Sequence, residues 1–308
     1  MFTTLDPKAI ALLGCPLCKS PLDQKPDAFL CHTCSTAFPS RTFSVGDHEE
    51  SVFDFRIQYP PYCVPPVMRQ WSEAQVLYED TQTPTRKRDT VERFLQEIDA
   101  GREIFEDEFH LKGRVLDVGG HLGKLRHFLK DDTELYVSID PYWNAFEDIQ
   151  QRVNLLRAYP CIQRPCNFLA ASAEHLPFAE NSFDWVAMRS VVDHFADPLL
   201  AFKQAYRVVA PGGHVMIGLA IIEKLTARHS KKRRNIAARC LRKLKKGKSY
   251  SFRDDLKVYG GPDDDHMYRF KHRELLELLT TTGFEVDKEH WQKEPMDYCL
   301  YVTGRKNP

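Results

Sequence analysis

The sequence predicts an α/β body built from strand–turn–helix units and preceded by a small metal-binding ribbon. Three observations predict it. Two Cys-x-x-Cys pairs, Cys15/Cys18 and Cys31/Cys34, lie near the start. Residues 114–125, RVLDVGGHLGKL, are a short apolar strand pattern running into a glycine-containing turn and a helix. Residues 135–140, LYVSID, form a second apolar strand that also ends in an acid. The composition agrees with a globular chain. With 308 residues, 43 Lys+Arg against 43 Asp+Glu and 43% apolar residues, it excludes collagen, a disordered tail, a membrane bundle and a small disulfide-stapled module. The longest apolar run, 215–222, has eight residues, short of the ~20 that cross a bilayer. No basic, cleavable leader pattern opens the chain, so the expectation is a cytoplasmic protein with reduced thiols.

The ribbon comes first in the chain. Two knuckles twelve residues apart can bring four thiolates to the corners of a tetrahedron around one Zn2+ at ~2.3 Å. Four thiolates leave no open coordination position, so the expected role of the zinc is structural, with Cys15, Cys18, Cys31 and Cys34 as ligands. His32 sits inside a knuckle and is expected to face solvent. A disulfide pairing is the competing reading, disfavoured in a reducing compartment. The zinc ribbon is placed at 1–48. A Pro-rich connector and helix follow at 49–85, where YPPYCVPP at 59–66 reads as a stiff spacer. Three- and four-residue apolar spacing predicts amphipathic helices over 68–78 and 90–109.

The body at 86–308 opens with the glycine turn. A strand, tight turn and helix of this kind place a ligand at the carboxyl end of the strand. About twenty residues on, Asp140 ends the next strand, where a carboxylate can accept hydrogen bonds from both hydroxyls of a ribose. Four further stretches follow in order: ASAEHLPF at 171–178, NSFDWV at 181–186, SVVDHFADP at 190–198 and YRVVAPGGHVMIG at 206–218.

On the glycine turn and these four stretches, five motifs in order, the chain resembles the class I S-adenosylmethionine-dependent methyltransferases of the type 11 kind, a branch that includes quinone C-methyltransferases and many sugar O-methyltransferases. The resemblance implies a Rossmann-like, seven-stranded, mostly parallel sheet with a reversed final strand, and S-adenosyl-L-methionine as cofactor. It implies that Asp117, Gly119, Gly120 and Gly123 hold the methionine half of that cofactor and that Asp140 holds its ribose. Pro141, Tyr142 and Trp143 would cover the adenine, with Ser172, Ala173 and Glu174 reading its edge and Arg189 near the transferable methyl. Two positions depart from the pattern. His121 stands where the family commonly has Gly, which calls for a changed turn or a displaced cofactor. Ser172 replaces the usual Asp, with loss of a charge-assisted hydrogen bond worth about 1 kcal/mol or more.

Methyl transfer to a hydroxyl needs a base, and His194 and His266 are the candidate catalytic residues. The competing reading has His194 packing under the next helix and capping it. Zero net charge hides an asymmetry: residues 224–253 carry thirteen Lys/Arg and no acid, leaving 30 basic against 43 acidic residues elsewhere. This basic insertion, placed at 223–255, has the pattern of an amphipathic helix for an anionic membrane surface, with nucleic acid or a solvated helix as rivals. Three functions follow: O-methylation of a sugar, lipid-linked glycan or other small molecule near the inner face of a membrane; rRNA or tRNA methylation; or non-catalytic binding on a methyltransferase fold.

Overall fold

The computed structural model describes residues 5–59, 61–86, 89–142, 144–147, 149–224 and 266–308. Of the basic insertion placed at 223–255, residues 225–255 lie outside the described residues, as does Trp143.

Eleven strands form one mixed sheet. In chain order they are β1 (Asp23–Gln24), β2 (Ala28–Cys31), β3 (Thr36–Val45), β4 (His48–Asp54), β5 (Gly113–Val118), β6 (Thr133–Asp140), β7 (Asn167–Ala170), β8 (Phe183–Arg189), β9 (Val209–Ala220), β10 (Glu285–Trp291) and β11 (Cys299–Arg305). The spatial order is β1-β2-β3-β4-β7-β6-β5-β8-β9-β11-β10. The last seven positions make a doubly wound sheet in which β7, β6, β5, β8 and β9 run parallel and β11 is antiparallel to both neighbours. This is an open, doubly wound α/β sheet with the expected reversed final strand. Each parallel strand is almost wholly buried, as a strand covered on both faces must be: Val115, Leu116, Val137, Ile139, Val186 and Ala187 are fully enclosed.

Helices cover the sheet: α1 (Pro7–Ala11), α2 (Pro66–Arg86), α3 (Val91–Arg102), α4 (Asn144–Glu147), α5 (Val153–Ala158), α6 (Pro198–Val208) and α7 (His272–Thr281). Thr90 caps α3 by accepting from the Arg93 amide at 3.2 Å, and α3 buries Phe94 and Ile98, four residues apart. Beyond Arg102 the helix widens into a π-helical stretch, Glu103–Glu108. Asp197 caps α6 through the Leu200 amide at 2.9 Å, so His194 is not that cap.

The junction of ribbon and body differs from the expected layout. Residues 49–54, placed at the start of the connector, belong to β4, and β4 pairs in parallel with β7 through Phe53↔Leu169 and Asp54↔Ala170. The ribbon therefore extends the body's sheet and is not held off by a spacer. Its apolar side chains Leu13, Phe29, Phe38, Phe53 and Phe55 enter the same core as Leu169, Leu176, Phe178 and Phe183. Backbone bonds close the seam: Gly14 donates to the Pro177 carbonyl and Ala179 to that of Leu12, both at 2.9 Å. Four short strands bury little apolar surface alone, and sharing the large core supplies what the module lacks.

Candidate functional site

A cleft of about 400 Å³ opens at the carboxyl ends of β5, β6, β7 and β8, where an open α/β sheet binds its ligand. Its floor is the turn after β5. Gly119 has φ +69°, and a Cβ there would run into the Val191 side chain; a Cβ on Gly120 would meet Ser138 and the Asp117 carboxylate. His121 adopts φ +49°. A side chain in this left-handed conformation costs roughly 1–2 kcal/mol. The imidazole joins the cleft lining.

Two buried carboxyls dominate this end. Asp117 accepts from the Tyr136 hydroxyl at 2.6 Å, yet burial pushes its pKa up to about 6, against the pull of that hydroxyl and of Arg189. Asp140 accepts from the Tyr142 amide at 2.9 Å. Burial and then the neighbouring Asp117 push it up to about 7, while the Tyr142 and His121 amides pull it down. Pro141, Tyr142, Ser172 and Ala173 line the wall beside Asp140.

Glu174 also reaches the lining, but its carboxylate is spent on the backbone. Oε1 accepts from the Ala196 and Asp197 amides at 2.8 and 3.1 Å, so this oxygen holds the loop after β8. Gly123 stands apart from the cleft: with φ +72° it opens the 3-10 turn Lys124–His127, a structural task. Arg189 lies in the cleft with its guanidinium 5.8 Å from the centre of the Phe105 ring.

The other end of the cleft was not read from the sequence. Lys124 and Glu97 pair there at 2.6 Å, and Asp89 bridges Arg152 at 2.6 Å and Arg93 at 3.3 Å. Phe94, Phe105 and Leu155 share the cleft lining with these pairs. Burial drives the Lys124 pKa down, opposed by Glu97. A further wall comes from α2, where Trp71 stacks on Tyr142 with ring centres 6.1 Å apart and donates from Nε1 to the His194 carbonyl at 3.0 Å. Trp71 therefore bridges the loops after β6 and β8, with Gln75 beside it in the cleft lining. The module ahead of the body also touches the site, because Arg56, locked on Asp54, donates to the Pro141 carbonyl at 3.1 Å.

His194 lines the cleft, whereas His266 stands behind it. Their rings stack with centroids 4.5 Å apart, and Asp193 lies 4.0 Å from His194 and 3.6 Å from His266. Tyr268 is fully buried and donates its hydroxyl to the Ala196 carbonyl at 2.9 Å.

In the ribbon the four cysteine sulfurs converge, with Cys15–Cys34 at 4.0 Å and Cys18–Cys31 at 3.5 Å. A tetrahedron with ~2.3 Å metal–sulfur bonds has edges of ~3.8 Å, so the spacing matches. His32 is exposed and faces Asp23 at 3.3 Å, away from the sulfurs.

The buried parallel strands, the glycine turn after β5 and the acids near the ends of β5 and β6 define the class as an open α/β domain with a ligand cleft at its strand tips. Residues 116–217 match the family described as "Methyltransferase domain". Over 51 residues the chain is 43% identical to the ubiquinone/menaquinone biosynthesis C-methyltransferase UbiE of Haemophilus ducreyi, covering 17% of this chain and 20% of that protein. Over 100 residues it is 33% identical to cycloartenol-C-24-methyltransferase of Arabidopsis thaliana, covering 32% of this chain and 29% of that one. The match thus spans less than a third of either relative. A solved S-adenosylmethionine-dependent methyltransferase from Thermotoga maritima aligns over 77% of this chain and 99% of its own, at 18% identity and a TM-score of 0.46.

Proposed function

We propose that the chain is an S-adenosylmethionine-dependent methyltransferase that acts on a hydroxyl of a sugar, lipid-linked glycan or other small molecule. The observation that carries this is the pair of tip carboxyls, Asp117 and Asp140, across a glycine turn in a cleft of about 400 Å³, within the size range of small-molecule sites. The residues fit the cofactor. Asp140, ionised, would accept from the ribose hydroxyls, the turn 117–121 would face the amino-acid tail, and Tyr142, Ser172 and Ala173 would flank the adenine. When bound, S-adenosylmethionine supplies an electrophilic methyl on a sulfonium. The carboxylates offset that positive charge, and Trp71 with Gln75 shields the cleft from water.

The chain's own contribution to the chemistry is alignment and proton removal. Arg189, Lys124 and Arg93, with their acidic partners, would orient an acceptor beneath α3. His194, on the cleft wall and backed by Asp193 and His266, is the group placed to draw the hydroxyl proton. The four ribbon cysteines are proposed to hold a structural Zn2+, which would tie two loops that the shared core alone does not fix. The basic insertion is proposed to meet an anionic membrane surface, which suits a lipid-linked acceptor; among the described residues no helix is long and apolar enough to span one.

The test is to supply methyl-labelled S-adenosylmethionine to the protein with a cell extract, then separate sugar, glycolipid and RNA fractions. Base-stable label in the sugar or glycolipid fraction is expected. Label in RNA would overturn the acceptor class in favour of nucleic-acid methylation.

A further inference from the structure

The geometry points to a second metal site, distinct from the four cysteines: Asp193, His194 and His266 hold a divalent first-row cation at the back wall of the cleft. The donor atoms of these three residues, one from each, all lie within 4.8 Å of one another. Asp193 reaches His194 from Oδ1 at 4.0 Å and His266 from Oδ2 at 3.6 Å. Ligands ~2.1 Å from one ion stand about 3 to 4.2 Å apart, depending on the angle at the metal, so closure asks for shifts of tenths of an ångström.

A second, independent observation points to a ligand. Asp193 Oδ1 is buried and has no hydrogen-bond partner among the described residues. A buried carboxylate oxygen without a donor is costly, and a cation beside it removes that cost. The scaffold is also built for precision. The Asp193 carbonyl accepts from the amides of both Met267 and Tyr268, at 2.8 and 3.0 Å, which clips the His266 segment against the turn after β8. Tyr268 secures the same segment through Ala196, and Trp71 holds the His194 carbonyl. Three side chains from two distant stretches are thereby fixed by backbone bonds before any ion arrives.

Two imidazoles and one carboxylate select Zn2+, Mn2+, Fe2+, Co2+ or Ni2+ over Mg2+ and Ca2+, which favour all-oxygen sites. Three protein ligands leave positions open, and His194 places one edge of the site on the cleft, where an oxygen of the acceptor can complete the coordination sphere; with the ion bound, His194 would act on the acceptor proton as a ligand of that ion and not as a free base. The site stands on these three side chains whether or not the chain transfers methyl groups.

Co2+ is the probe. Full-length protein, with its cysteines already filled by zinc, is titrated with Co2+ and followed by d–d absorption and by metal analysis. Expected is uptake of one further equivalent with nitrogen/oxygen-type absorption and no thiolate charge-transfer band. His266→Ala, at a side chain one-quarter exposed, and the isosteric Asp193→Asn should each weaken that uptake at least about tenfold while near-UV circular dichroism is unchanged. No stoichiometric uptake by the unaltered chain overturns the proposal, as does uptake that His266→Ala leaves intact. S-adenosylmethionine binding is measured on the same samples, so loss of the methyl-donor reading and loss of the metal site remain separate results.

Discussion

Under the proposed function, the polar groups at the cofactor (adenosine and amino-acid) end of the cleft are two buried carboxyls, Asp140 for the ribose and Asp117 for the amino-acid tail, on the tips of adjacent strands. At the acceptor end they are ion pairs, Glu97–Lys124 and Asp89–Arg152, most of whose members come from helices or their flanks. Strand tips are fixed by the sheet and by amides within the same turn, so the first end is preorganised and its pKa values are set by burial. Helix-borne ion pairs can exchange partners with a charged ligand. On the proposed function, the first end would serve the constant cofactor and the second the acceptor.

The largest expected effect concerns neither end directly. Because the ribbon shares the body's core and Arg56 props the Pro141 carbonyl, removing zinc by chelation should unfold the ribbon and also lower the body's thermal midpoint and its cofactor binding. A body that melts and binds as before would show that the two modules are separable. Next, Asp140→Ala removes acceptors for two ribose hydroxyls, and S-adenosylmethionine affinity should fall about a hundredfold or more in calorimetry, with the fold intact. A smaller loss than that for Lys124→Ala would reverse the roles assigned to the two ends.

His194→Ala should lower turnover at least about a hundredfold while cofactor affinity stays nearly unchanged, a split that marks a group acting on the acceptor proton. Equal losses in both would move His194 to the cofactor.

The pH dependence is smaller and belongs to the adenosine end. A carboxyl whose folded pKa stands above its unfolded value favours the fold when protonated. Asp140, raised from 3.8 to about 7, contributes stability that is complete below pH 3.8 and lost as pH rises through 7. The ribose needs the ionised form, so cofactor affinity should rise roughly tenfold between pH 6 and pH 8, with proton release in calorimetry. A flat profile would place the titration elsewhere. The smallest effect is Arg56→Ala, expected to weaken cofactor binding a few-fold by loosening the loop after Asp140.

How much of this was legible follows the same division. Cys15, Cys18, Cys31 and Cys34, and likewise Asp117, Gly119 and Asp140, are local patterns whose spacing is tied to a turn or a strand end. The acceptor end has no such pattern. Trp71, Glu97 and Lys124 become neighbours only after two helices pack over the sheet, and each reads singly as an ordinary aromatic or charged helix residue. The pairing of β4 with β7 joins strands some 115 residues apart and leaves no periodicity to find. Glu174 and Gly123 were visible as motif members, but a motif does not show which way a carboxylate turns or which face a glycine turn presents. In the structure one braces a loop and the other opens a 3-10 turn.

The most direct measurement is a calorimetric titration of the purified chain with S-adenosylmethionine at pH 8, beside Asp140→Ala. One site per chain, with affinity at least about a hundredfold tighter than in the variant, is the predicted result. Absence of heat or of saturation at millimolar cofactor, or equal affinity in the variant, would contradict the assignment of this cleft to the methyl donor.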